Sequence, residues 1–325
     1  MTAHILHISD GEDAAIGAAR LVLSNGRPVA IPTETVYGLA ADATNPAAVA
    51  RIFETKGRPQ FNPLICHMAD LAMAEDYALF DPVSRHLAET FWPGPLTLIL
   101  PLKQASGIQS LATAGLDAVG IRVPKGFASA LIRAYGKPLA APSANTSGKI
   151  SPTQARHVAE DLGEKLDLII DGEAAPVGVE STIVRVEREG IRLLRPGGIS
   201  AAELEAATGL PVIRPASPSP TIEAPGMLAS HYAPAAQVRL DVRQAMPGEA
   251  VILFGEARVE GLDRAASVIN LSPAGDLREA AANLFDYLKK ADAAATHGIC
   301  VVPIPHEGLG EAINDRLSRA AAPRT

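Results

Sequence analysis

The apolar positions of the chain fall into two alternating periods, one of helices and one of strands. Residues 12–25 carry Ile16, Ala19, Val22 and Leu23 at helical spacing, with Ser9 and Asp10 as capping candidates and Gly26 as a stop. Residues 28–32 form a short apolar run that reads as a buried strand and leads into the polar cluster Thr33 to Gly38. Polar residues at the end of such a strand are where α/β folds commonly gather ligands. Helices are predicted over 46–54, 82–90, 127–135, 152–162 (capped by Ser151) and 200–208. Strands are predicted over 64–67, 96–100, 120–123, 139–142, 168–171, 181–186 and 191–194.

The pattern then breaks. Residues 212–234 contain Pro215, Pro218, Pro220, Pro225 and Pro234 with serines between them, a linker signature. The same stretch holds Gly226-Met227-Leu228 and His231-Tyr232, unusual residues for a mere spacer. Beyond it the alternation resumes, with strands at 250–254 and 298–303 and helices at 277–293 and 309–320. This predicts a small parallel α/β domain. The expected division is a first domain over 1–211, a linker over 212–234 and a second domain over 235–325. There is no GxGxxG after a strand, no P-loop and no internal repeat, so a nucleotide held in the P-loop manner is excluded.

Composition narrows the function. A chain of 325 residues is long for a single core, and 47% hydrophobic against 20% charged residues is a globular balance. The net charge of −7 gives no overall attraction for nucleic acid, so an anionic substrate would need a local cationic pocket. Two cysteines, Cys66 and Cys300, exclude a disulfide framework and a cysteine-rich zinc site. The start MTAHILHISDGED lacks a signal-peptide pattern, and the apolar run at 96–100 is too short to span a bilayer. A cytoplasmic location is the expectation.

Several residues can carry chemistry. Lys56 and Arg58 share a loop shaped by Gly57, Pro59 and Pro63, where two cations can converge on one polyanion. Alone, that loop reads more readily as solvated surface. Ser143, Asn145, Ser147 and Ser151 follow an apolar strand and offer hydroxyl and amide contacts, or an ordinary turn and helix cap. Arg122 lies within an apolar strand and must find an anion, either a structural carboxylate or that of a substrate. Arg195 precedes Pro196-Gly197-Gly198, a turn beside a cation. His67 ends an apolar segment, and Ser181 starts a strand after Glu180, which can orient a partner or simply cap. There is no GxSxG elbow for a hydrolase triad and no metal-ligand spacing.

Read in order, PTETVYGLAADA (32–43), KGRPQFNPLICH (56–67), WPGPLTLIL (92–100), GIRVP (120–124), APSANTSGKISPT (141–153), ESTIV (180–184) and LRPGGI (194–199) resemble the threonylcarbamoyl-AMP synthase family, built on the YrdC-like domain. PGMLASHYAP (225–234) and the second α/β domain resemble its longer branch. The resemblance implies a YrdC-like twisted α/β sheet with a concave cationic cleft, plus a smaller C-terminal Rossmann-like domain. It implies synthesis of L-threonylcarbamoyladenylate and pyrophosphate from L-threonine, bicarbonate and ATP. Magnesium would accompany ATP without a dedicated carboxylate site. A separate transferase machinery would use the product on tRNA, and neither membrane attachment nor stable nucleic-acid binding is expected.

By the same resemblance Lys56, Arg58, Ser143 and Asn145 form the catalytic signature. Arg58, Asn62, Ala118, Ser143, Ser151, Arg195 and Tyr232 would contact ATP, and Thr35, His67, Arg122, Ala141 and Ser181 would hold threonine. Ala118 and Ala141 would act through their backbones, and the linker would close as a lid at Tyr232. Two rivals remain. An RNA-binding module would need a basic, aromatic face. A hydrogenase-maturation protein with a YrdC-like domain would need a zinc finger, which two cysteines cannot make.

Overall fold

The computed structural model describes residues 2–214, 222–227 and 230–323. Pro215, Pro218, Pro220 and Leu228 of the proline-rich stretch lie outside the described residues. The larger sheet contains β1 (His4–His7), β2 (Val29–Ile31), β3 (Gly38–Asp42), β4 (Ile65–His67), β5 (Leu96–Pro101), β6 (Ala118–Arg122), β7 (Leu139–Ala140), β8 (Leu168–Asp171), β9 (Thr182–Glu187), β10 (Gly190–Arg195) and β11 (Val212–Ile213). Their spatial order is β1-β8-β2-β3-β7-β4-β6-β5-β9-β10-β11. Pairing is mixed: β4 runs parallel to β6, while β5 runs antiparallel to β6 and parallel to β9. The helices are α1 (Glu12–Ser24), α2 (Pro46–Lys56), α3 (Leu71–Tyr77), α4 (Pro82–Phe91), α5 (Ser110–Thr113), α6 (Phe127–Tyr135), α7 (Ala155–Leu162) and α8 (Ala201–Thr208).

Two apolar layers clothe this sheet. Ala15, Ala19 and Leu23 of α1 pack with Leu131 and Ile132 of α6 against Val29 and Ile31. Ile52 and Phe53 of α2, Leu87 of α4 and Val158 of α7 join Leu98, Ile121 and Val184 in the other layer. β3 has no counterpart in the sequence reading. Its GLAAD sequence lacks the β-branched residues that mark strands, yet it is buried throughout between β2 and β7. Ser151 does not cap a helix as expected, because α7 begins later, at Ala155, after Gln154. β11 pairs with β10 although it falls at the start of the expected linker.

The second sheet is all parallel, in the order β12-β15-β13-β14, with β12 (Val238–Arg239), β13 (Glu249–Leu253), β14 (Ser267–Asn270) and β15 (Gly298–Val301). α9 (Leu277–Ala294) and α10 (Leu309–Ala321) cover it. Their apolar residues Ala281, Leu284, Phe285, Ile313 and Leu317 share one core with Val36, Ile150 and Val179 of the first sheet's loops and with Tyr232. Gly178 shows how closely the two parts approach. Its backbone is left-handed (φ 75°), and a Cβ there would collide with the backbone of Ala281 and Ala282 in α9.

Candidate active site

The loops at the ends of β2, β4, β6, β7, β9 and β10 surround a small cavity of about 50 Å³. Its wall includes Thr35, Arg58, His67, Arg122, Ala141, Ser143, Ser181, Arg195 and Tyr232, nine residues singled out in the sequence. Lys56, Asn62, Ala118, Asn145 and Ser151 are not on the wall. Four of these stand just behind it. Ala118 is the exception, half-buried on β6 opposite Pro101 of β5.

Lys56 ends α2, where Gly57 takes the left-handed conformation that closes the helix. The chain therefore turns at once and carries Arg58 back toward the sheet. The Lys56 ammonium is buried and donates to the carbonyls of Ser143 and Asn145. It thus ties the two signature segments together from behind. Burial and the Arg58 charge push its pKa well below the usual lysine value. Arg58 is anchored by Nε to the Asn62 carbonyl (3.2 Å) and by Nη2 to the Pro63 carbonyl (2.9 Å). Burial lowers its pKa to about 10, so it keeps its charge at neutral pH. Asn145 donates to the carbonyls of Thr146 and Lys149, which fixes the loop after β7. Both polar atoms of the buried Asn62 side chain lack a hydrogen-bond partner among the described residues.

Arg195 leaves the end of β10 and is held by Ser181, through its carbonyl (3.1 and 2.9 Å) and its hydroxyl (3.1 Å), and by the Pro225 carbonyl (3.3 Å). The Ser181 hydroxyl also meets that of Thr97 at 2.8 Å. Glu180 is the one acidic residue of the wall. It accepts from the Ser151 hydroxyl (2.5 Å) and from Nε of Arg316 (2.8 Å). Burial raises its pKa, but Arg316 and Arg195 more than offset that and hold it at about 2.

Arg122 marks a second part of the wall, the Arg122 end: it donates from Nε to the Gly94 carbonyl (3.2 Å) and pairs through Nη2 with Glu34 at 2.8 Å. The arginine of the apolar strand therefore has a structural carboxylate beside it and still reaches the cavity. His67, on the neighbouring strand, has its pKa pushed down to about 3 by burial and by Arg122. Its Nδ1 has no partner among the described residues. Thr35 shares a hydroxyl contact of 2.9 Å with Thr33.

Pro225, Gly226, His231 and Tyr232, from the proline-rich stretch, form part of the wall. Tyr232 adopts a left-handed backbone (φ 61°), uncommon for a bulky residue. The Ala233 amide donates to the Gly148 carbonyl (2.8 Å) and the His231 amide to that of Arg319 (3.2 Å). The Tyr232 ring stacks on Phe285 at 5.5 Å and meets Arg316 at 5.1 Å. Gly226 lies so near that a Cβ would stand 2.9 Å from Arg195 Cδ and 3.0 Å from the Tyr232 hydroxyl oxygen. His231 and Gly226 on the wall, and Arg316 and Glu34 behind it, had no assigned role in the sequence reading. For Arg316 a signal existed: it falls in the apolar stripe Ala312, Ile313, Leu317, Ala320 of α10.

Fold and cavity define the class: a mixed α/β protein with a large sheet and, at its strand ends, a pocket into which arginine, histidine and hydroxyl side chains reach. The chain belongs to the threonylcarbamoyl-AMP synthase family. The family model described as Telomere recombination matches residues 21–197, and that of the Threonylcarbamoyl-AMP synthase C-terminal domain matches residues 199–322. Threonylcarbamoyl-AMP synthase of Bacillus subtilis is 40% identical over 96% of this chain and 94% of its own. That of Pyrococcus abyssi is 41% identical over 96% of both chains. The crystal structure of P. abyssi Sua5 complexed with L-threonine superposes with a TM-score of 0.87 at 37% identity, covering 99% of this chain and 98% of that one.

Proposed function

We propose that the chain is a nucleotidyltransferase that makes L-threonylcarbamoyl-AMP and pyrophosphate from L-threonine, bicarbonate and ATP. The observation that carries this reading is the chemical difference between the two ends of one cavity. Arg58 and Arg195 are held by neutral carbonyls and a hydroxyl, so their charge is left for a polyanion. Arg122 carries a carboxylate partner, so its end is close to neutral overall and fits a zwitterionic amino acid.

The amine of threonine and bicarbonate give a carbamate and water. A carbamate oxygen then attacks the α-phosphorus, the bond to the bridging oxygen breaks, and pyrophosphate leaves. Arg58 and Arg195 offset the charge, and the loop that Lys56 fixes aligns the reactants. With a pKa of about 3, His67 is too weak a base to take the ammonium proton; it positions threonine. Tyr232 and Gly226 keep water from the mixed anhydride. Among the described residues no group of three or more His, Cys, Asp or Glu is placed to hold a metal, and Glu180 is already engaged. Magnesium would accompany the ATP substrate, whose phosphates supply oxygen ligands.

The product would pass to a tRNA threonylcarbamoyl transferase machinery. Cys66 and Cys300 are free thiols, which suits a reducing, cytoplasmic setting. No helix among the described residues is long and apolar enough to cross a membrane. The test is pyrophosphate release from ATP with threonine and bicarbonate each present or omitted. Release that ignores threonine sinks the reading.

A further inference from the structure

We infer that Arg316, delivered by α10 near the far end of the chain, is a positioning residue for the ATP end of the cavity: it neutralises Glu180 from behind the wall, so that a carboxylate can line a pocket for a polyanion. The inference rests on the assignment of ATP to the Arg58–Arg195 end.

Arg316 is 1% exposed and lies in the stripe of α10 whose apolar residues join the second sheet's core, a core that also takes in Val36, Ile150 and Val179. A buried guanidinium is costly, and a helix that had only to dock would place an apolar residue there. Docking has other supports: Asp286 of α9 meets Arg156 at 2.5 Å and His157 at 3.1 Å, and Gly178 abuts α9. What Arg316 contacts are two cavity walls. It donates to Glu180 and lies over the Tyr232 ring, while Nη1 binds Asp315 at 2.6 Å. Arg316 itself is not on the wall.

The carboxylate explains the need. An unpaired Glu180 in this dry cavity would repel the phosphates. The remaining cations whose charge reaches it are Arg195 and Lys56. An arginine drawn to Glu180 is no longer available to ATP. With Arg316 in place, Glu180 instead fixes the Ser151 hydroxyl at the pocket edge, and Arg195 stays on Ser181. The second domain thereby completes the site that the first domain begins.

The experiment is steady-state pyrophosphate release by the full chain, with ATP and threonine varied in turn, for Arg316→Gln and for Glu180→Gln/Arg316→Gln. Arg316→Gln is expected to raise the KM for ATP about tenfold or more, the scale of one lost charge-assisted contact. The KM for threonine should move less than about twofold, a split that general loosening of the fold would not give. Adding Glu180→Gln removes the carboxylate that needs a partner, and should return the KM for ATP to within about threefold of the parent. An unchanged KM for ATP, parallel rises for both substrates, or a double variant no better than the single overturns the inference. Should Arg316→Gln fail to fold, the double variant decides alone: a tenfold rise there also overturns it. A parent enzyme whose turnover ignores threonine would instead overturn the reading of the site.

Discussion

The two ends of the cavity use arginine differently. Arg58 and Arg195 are anchored on backbone carbonyls, whereas Arg122 is anchored on the carboxylate of Glu34. A carbonyl satisfies the donors of a guanidinium but cancels little of its charge; a carboxylate satisfies donors and cancels the charge as well. The first arrangement stores positive potential that only a ligand can use. The second stores geometry without net charge. On the proposed reading, one chain of net charge −7 would present a polyanion site and a zwitterion site in a single cavity.

The sharpest way to break that contrast is to remove a carbonyl-anchored cation. Arg58→Ala is expected to lower threonine-dependent pyrophosphate release by about 10²–10³-fold, the loss typical of one preorganised charge stabiliser. Lys56→Ala is expected to do the same and also to lower the thermal midpoint, because two carbonyls lose a hydrogen-bond donor worth about 0.5–1.5 kcal/mol each. Normal release by both variants would remove the ATP assignment from this end.

The contrast sharpens at the opposite end. Arg122→Ala is expected to raise the KM for threonine by about 10–100-fold, with the KM for ATP moving less than about threefold. Arg195→Ala should show the reverse split. Equal shifts in both constants for either variant would mean that the ends are not separate subsites.

The ends were unequally legible in the sequence. Alone, the stretches around Lys56–Arg58 and Ser143–Asn145 read as an ordinary loop and turn; what marks them is their order along the chain with GIRVP, ESTIV and LRPGGI. What the sequence could not reveal is direction. Lys56 points at two carbonyls and not into the pocket, a fact that depends on where the loop after β7 passes. For Arg122 both a structural and a ligand carboxylate stood open, and only the fold shows that Glu34 lies beside it. Ser151 looked like a cap because Pro152 follows it; its hydroxyl is instead taken by Glu180, from β9's approach. Arg316 was readable as a charge on an apolar stripe, but its partner lies 136 positions earlier. The alternation of helices and strands was legible over much of the chain, but β1, α3 and β14 went unread although Ile, Leu or Val mark them, and so did the alanine-rich β3.

A smaller effect tests what the two ends share, the burial of their side chains. His67 at the Arg122 end and His231 beside Tyr232 both have pKa values pushed down to about 3 by burial, and His157, at the interface of the two sheets, to about 4. The unfolded chain takes up protons at these histidines near 6.5, while the native chain does not. Stability contributed by the neutral rings is therefore complete above about pH 6.5 and is lost as pH falls toward 4. Glu180, held at about 2, adds a loss of the same sign below 4.5. The thermal midpoint is expected to fall steadily from pH 7 to pH 4, with a shallower slope in His67→Gln. The pH profile of turnover should show no histidine inflection between 5 and 7. An inflection there that disappears in His67→Gln would mean that this end is wet and its imidazole titrates.

The smallest effect separates burial from mere pairing. α10 is joined to the first part of the chain by two arginine–glutamate pairs: Arg316 with Glu180, at 1% and 9% side-chain exposure, and Arg214 with Glu311, at 52% and 25%. The distances, 2.8 and 2.6 Å, would favour the second. Solvent decides otherwise, because water screens an exposed pair and competes for both partners. Arg214→Ala is therefore expected to cost no more than about 1 kcal/mol in denaturant unfolding and to leave both KM values unchanged. A loss of activity on Arg214→Ala comparable to that of Arg316→Gln would show that what matters is holding α10 in place, and the distinct part given to Arg316 would fall with it.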